Sequence, residues 1–138
     1  MDVNLHLAGA GDARRAIERW VARTDTATRA AVSAAAHEIE AAAKSHFSGT
    51  HRKGQPHEGG PEPNVVTGTL RRSIIVEGPT SAGAFTWAAK VGPTTVYARA
   101  IELGLRQAPG VSYPYFGPGV ADALPRVGEI FRAAWRNR

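Results

Sequence analysis

Two stretches decide the fold class: Ser73-Ile74-Ile75-Val76-Glu77 and Phe85-Thr86-Trp87-Ala88-Ala89-Lys90-Val91. The first runs into strand composition through Ile74, Ile75 and Val76. In the second, Phe85, Trp87, Ala89 and Val91 share one face at the two-residue period of a strand. Gly78-Pro79-Thr80-Ser81-Ala82-Gly83 between them has the residues of a turn, and Gly92-Pro93 closes the second run. The pattern predicts an antiparallel hairpin.

Outward from the hairpin the periodicity becomes helical. Thr67-Gly68 opens a short turn of helix before the first strand. Val96 to Leu103 gives one or two more turns, stopped by Gly104. Near the start, Asp12 is a good N-cap for a helix over Ala13 to Ala22, with Ile17, Trp20 and Val21 on one face. Thr24-Asp25-Thr26 reads as an interruption that caps a second, longer helix from Ala27 to about Phe47. Its stripe of Val32, Ala35, Ala36, Ile39, Ala43 and Phe47 is mostly small, so another backbone can come close, from this subunit or a neighbour. At the other end, Pro118 suits a helix start because its missing N–H has no partner to lose. Val120, Leu124, Val127, Ile130, Phe131 and Trp135 then form an amphipathic closing helix despite Pro125. Ser112-Tyr113 is expected to pair with the sheet edge. Residues 48–66, rich in Gly, Pro and His, offer little to offset the entropy of ordering and read as a mobile loop. The expected architecture is α+β in a single domain spanning 1–138: N-terminal helices including a long Ala-rich one, a small antiparallel sheet built on the hairpin, and a C-terminal amphipathic helix.

Composition narrows the function. The chain has 138 residues, a length close to the commonest domain size. It lacks an apolar run that could span a bilayer, and Met1-Asp2-Val3-Asn4-Leu5 carries no basic segment before an apolar block, so neither membrane insertion nor a signal peptide is expected. Zero cysteines exclude disulfides and thiolate zinc sites, which suits a reducing cytoplasm. Lys and Arg number 17 against 12 Asp and Glu, a net charge of +5 with arginine far ahead of lysine. That balance permits contact with polyanions, although the basic residues are spread along the chain.

Catalytic and metal patterns are weak. His37, His46, His51 and His57 with Glu38, Glu40 and Glu58 invite a metal reading, but His46 and His51 share a face only if a helix runs past Gly49, and convergent ligands need rigid support. Solvent-facing histidines are expected instead. Ser73 or Ser112 with a histidine and Asp122 lacks a nucleophile elbow. Gly9-Ala10-Gly11-Asp12 lacks the lysine and the preceding strand of a phosphate loop. Glu38 and Glu40 point to different helix faces. No enzyme, cofactor or metal is expected. Glu102 sits unfavourably at a helix C-terminus unless something offsets it, and pairing with Arg71, Arg72 or Arg99 across an interface is the favoured explanation. Tyr97, Tyr113, Tyr115 and Phe116 read as core or interface aromatics.

The run Thr67-Gly68-Thr69-Leu70-Arg71-Arg72-Ser73-Ile74, the hairpin ending Val91-Gly92-Pro93, then Tyr97-Ala98, Ile101-Glu102-Leu103-Gly104 and Tyr115-Phe116-Gly117-Pro118 together resemble the small tail-completion proteins of long-tailed phages, the lambdoid gene-product-ten family, which look related to the minor tail protein Z group. The resemblance covers roughly residues 25 to 137. Gly68, Leu70, Arg71, Ser73, Tyr97, Ala98, Glu102, Gly104 and Pro118 carry it, and in such proteins they would shape the fold and the subunit contacts. The last motif departs from the pattern, which more often has Pro-Phe followed by a proline and an alanine, where this chain has Gly119 after Pro118. The resemblance implies a structural virion protein of the phage neck, made in the host bacterial cytoplasm, which completes the tail and joins it to the DNA-filled head. It implies a ring, usually of six subunits, contacting neck and tail-tube neighbours, with genomic DNA in the lumen. A tail terminator, a head-side stopper, or a basic DNA-binding module with no virion role are the other readings.

Overall fold

The helix α1, Ala10–Ser45, is one uninterrupted rod of 36 residues, about 54 Å long at 1.5 Å per residue. The expected break at Thr24-Asp25-Thr26 does not occur. Thr26 Oγ1 donates to the Ala22 carbonyl at 3.0 Å and Thr28 Oγ1 to the Thr24 carbonyl at 2.8 Å, so these hydroxyls serve the helix interior rather than capping a new start. Asp25 accepts the indole N–H of Trp87 at 2.8 Å. The helix begins instead at Gly9, and Asp12 lies inside its first turn, where a carboxylate favours the dipole. The computed structural model describes residues 9–49, 56, 59–60, 62–63, 65, 67–104 and 110–136.

The closing helix and the hairpin pack on α1. The closing helix α4, Phe116–Arg136, runs antiparallel to it. Gly119 meets Ala43 near one end, Arg126 Nη1 bonds Glu38 Oε1 at 3.1 Å midway, and Trp135 Nε1 donates to Thr28 Oγ1 at 3.3 Å near the other. The partner of the small-residue stripe is therefore α4 of the same subunit. Ala31, Ala35, Ala36 and Ala43 are buried on α1, Gly119 and Ala123 on α4. A Cβ on Gly119 would stand 2.4 Å from Ala43 Cα and 2.6 Å from its nitrogen, so the two backbones touch where the helices cross. That contact requires glycine at 119.

The hairpin forms a two-stranded antiparallel sheet of β1, Ile74–Gly83, and β2, Thr86–Pro93, packed on α1. Pairing starts at Ile74 with Pro93 and runs in register to Glu77 with Lys90. It then shifts before Thr80 with Ala88, and again between Ser81 and Gly83. The Gly78-Pro79 pair, expected to start the turn, is absorbed as a bulge within a longer strand. The turn itself is Ala84-Phe85. Phe85 has φ 57° and is 69 % exposed, so it leaves the face on which Trp87, Ala89 and Val91 remain. Trp87 also lies under Arg29, whose guanidinium carbon is 5.2 Å from the ring centroid.

Two short helices flank the hairpin at its open end: α2, Thr69–Ser73, before β1, and α3, Ala98–Leu103, after β2. The core lies beneath them, where Ala43, Ile74 and Tyr115 are fully buried with Phe47, Leu70, Val91, Ile101 and Phe116 packed around. The Phe47 and Tyr115 rings sit 4.8 Å apart, tilted by 53°. Ser112-Tyr113 does not extend the sheet. The Tyr113 N–H donates to the Ile101 carbonyl at 2.8 Å and the Ser112 carbonyl accepts from Gly60 at 3.1 Å. Of the loop expected to be mobile, residues 50–55, 57–58, 61, 64 and 66 lie outside the described residues. Within it, the Gly49 N–H donates to the Pro63 carbonyl at 3.1 Å. Among the described residues no helix is long and apolar enough to cross a membrane.

Candidate functional site

The pairing of Ile74 with Pro93 places α2 and α3 at the same end of the hairpin, and the Ser73 carbonyl locks them by accepting from Thr94 N–H at 3.0 Å. Most motif residues gather here. Gly68 is the N-cap of α2 with φ 73°, Leu70 packs on the core, and Ser73 Oγ donates back to the Leu70 carbonyl at 2.7 Å. Ala98 is buried, while Tyr97 precedes it half exposed. Gly104 ends α3 with φ 98° and its N–H on the Ala100 carbonyl at 2.9 Å, a conformation that L side chains rarely adopt. Arg71 is exposed.

Glu102 links this end of the hairpin to α4. Its Oε2 accepts the N–H of Tyr115 at 2.8 Å and of Phe116 at 2.9 Å, and its Oε1 accepts that of Gly117 at 2.8 Å. The partner is thus a helix N-terminus, not Arg71, Arg72 or Arg99 as the sequence suggested. The capping is complete in detail. A helix start leaves its first N–H groups without internal acceptors. Here the carboxylate takes those of Phe116 and Gly117, Pro118 has none to satisfy, and Gly119 N–H reaches the Tyr115 carbonyl at 3.2 Å. The first turn of α4 contains no acidic residue of its own, so the anion its dipole favours comes from α3. That absence, together with a glutamate stranded at a helix end, was the signal available in the sequence. A carboxylate bound to three N–H groups is a structural anchor rather than a catalytic base.

Tyr115 is the largest side chain buried in this junction. Its hydroxyl has no hydrogen-bond partner among the described residues, and burial, aided by the negative charge of Glu102, pushes its pKa up to about 12. Tyr113 behaves differently, accepting the Gly59 N–H on its hydroxyl at 3.1 Å.

A second polar cluster clasps α1 to the rest. His46 Nδ1 lies 3.0 Å from Glu62 Oε1 and its Nε2 lies 2.8 Å from Asp122 Oδ2. Ionised carboxylates only accept, so both ring nitrogens carry protons and the ring is an imidazolium. Burial opposes that charge, but the bonds to Asp122 and Glu62 outweigh it and raise the His46 pKa. Glu62 is held below the usual carboxylate range by Ser48, whose Oγ donates to Oε2, and by His46. His46 is therefore not solvent-facing as expected. It is also no general base, because neither nitrogen is free and Ser48 bonds the glutamate rather than the ring. Asp122 reaches His46 without Ser73 or Ser112. Glu38 and Glu40 separate as expected, the first to Arg126, the second to Lys44 and His37. The bond to Lys44 and then that to His37 lower the Glu40 pKa. His51 and His57 lie outside the described residues, and among the described ones no group of three or more His, Asp or Glu is placed to hold a metal ion. Compared with models of protein families, with curated proteins and with solved structures, the chain matches none.

Proposed function

We propose that the chain is a structural protein of the neck of a long-tailed bacteriophage, which completes the tail and joins it to the DNA-filled head as one subunit of a ring. One observation carries the reading: the order of the motifs, from Thr67-Gly68 through Tyr97-Ala98 and Ile101-Glu102-Leu103-Gly104 to Tyr115-Phe116-Gly117-Pro118. Their geometry supports it, since Glu102 of one motif caps the helix opened by the next. Residues used in this way set the shape of a subunit. The ring, its six copies and its neck and tail-tube neighbours belong to this proposal, as does location in the virion.

The test is to image particles made by a phage lacking the chain. Filled heads beside complete, unattached tails are expected. Normal infectious virions would overturn the joining role, and tails of uncontrolled length would favour the terminator instead.

A further inference from the structure

The expected partners of Arg71 and Arg72 are lost to them, because Glu102 is engaged by α4. Both arginines border a cleft of about 290 Å³ whose described lining is Lys44, Val65, Gly68, Arg71 and Arg72. The lining brings three cationic residues together, of which Lys44 bonds a carboxylate, its Nζ 2.6 Å from Glu40 Oε1. Among the described residues neither guanidinium has an ion-pair or hydrogen-bond partner. Gly68 adds no side chain to the cleft, and Arg72 Nη1 occupies the room this leaves, 2.8 Å from where a Cβ would be. At the same end of the hairpin, α3 carries Arg99, also without a bonding partner among the described residues, and half-exposed Tyr97 is its N-cap. Like charges held close favour an anion between them, and guanidinium forks match the paired oxygens of a phosphate.

We propose that this cleft is a phosphate-binding site that takes the sugar–phosphate backbone of duplex DNA. The proposal deepens the neck reading by naming the surface that faces the genome, and rests on it only for the source of the DNA. Val65 and the bare Gly68 turn offer no donor and acceptor array for base edges, so binding here is insensitive to sequence.

The test measures fluorescence anisotropy of a labelled duplex with the full chain across a salt series. Replacing both Arg71 and Arg72 by alanine should weaken binding about tenfold or more and reduce the slope of log affinity against log salt by about 2. The Arg71→Lys, Arg72→Lys pair should keep the slope. The Arg14→Ala, Arg15→Ala pair is the control, because those arginines already bond Glu18 and Asp12; it should change the slope less. An unchanged slope in the alanine pair overturns the proposal, as does an equal fall in the control. Should the alanine pair not fold, amide shifts of the native chain on adding DNA decide. Shifts centred on Val65, Gly68, Arg71 and Arg72 support the site, and shifts confined to α1 before Thr24 overturn it. A polyglutamate peptide bound as tightly as DNA of equal charge would overturn the phosphate assignment. These outcomes are independent of the phage-imaging result, so either reading can fail without the other.

Discussion

Near its start, α4 is held by two opposite kinds of chemistry. At the crossing of Gly119 and Ala43 the contact is backbone on backbone, lined by alanines and without a polar group. One turn away, the helix start is held by a carboxylate from α3, and Asp122 joins the His46 imidazolium just past the end of α1. The first contact depends on the absence of atoms and tolerates no addition. The second depends on charge and proton occupancy, so it responds to pH and salt. The comparison separates what fixes the helix pair from what can be tuned around it.

The largest effect should come from filling the crossing. Gly119→Ala puts a methyl group 2.4 Å from Ala43 Cα, where only backbone could yield. The helices must separate, and overpacking of this kind costs about 3 kcal/mol. Urea unfolding of the variant should show a much lower midpoint; a native midpoint would mean that the backbones are not in contact. Next comes the cap. Glu102→Ala leaves the N–H groups of Phe116 and Gly117 without acceptors and should cost about 2 kcal/mol. Glu102→Gln keeps one acceptor oxygen and should fall between. If alanine and glutamine lose the same amount, the charge rather than the hydrogen bonds holds the junction.

The clasp should give a smaller, pH-dependent effect. His46 has a folded pKa above its ordinary value near 6.5, so its contribution is complete below that value and is lost as pH rises through the raised one. Glu62 has a lowered pKa, so its part is present above the usual carboxylate value and lost as pH falls through the lowered one. Stability should therefore peak in mildly acidic solution and decline toward alkaline pH, and His46→Gln should flatten the decline. Salt should weaken the Asp122 half more, because that side chain is 68 % exposed. A native-like pH profile in His46→Gln would show that the imidazolium does not bear on folding.

The same contrast explains what could be read in advance. The alanine stripe, the hairpin and the closing helix follow from periodicity, which is local and survives in the folded chain. The misreadings involve residues whose role the rest of the fold decides, rather than their local composition. Thr24-Asp25-Thr26 has the composition of a cap, yet Asp25 serves Trp87, 62 positions away, and the threonines serve α1 itself. Glu102 needs an offset at its helix end, and composition offers three arginines, whereas the fold supplies an N-terminus 13 to 15 positions on. Gly78-Pro79 has turn chemistry and became a bulge, because the strand pairing beyond it outweighs the local preference. His46 gave no hint of its carboxylates, since Asp122 is 76 positions away. Among the site residues, Gly104 and Ser73 were legible as ends of elements, whereas the cleft between Lys44 and Arg71 exists only once α1 and α2 are brought together.

Tyr115 lies where the two kinds of contact meet, and it should yield the smallest effect. Its ring fills the core against Phe47, while its hydroxyl is buried without a partner. A buried hydroxyl that makes no bond has lost its water and gained nothing, so Tyr115→Phe should leave stability unchanged or raise it by about 1 kcal/mol. Alkaline pH supplies an independent check. The folded pKa of about 12 lies above the ordinary value of 10.0, so the unfolded chain ionises first and stability drops as pH passes the ordinary value. Phenylalanine removes that part of the drop. If the variant is instead destabilised at neutral pH, the hydroxyl has a partner, and the junction under Glu102 is more polar than the dry seam beside it.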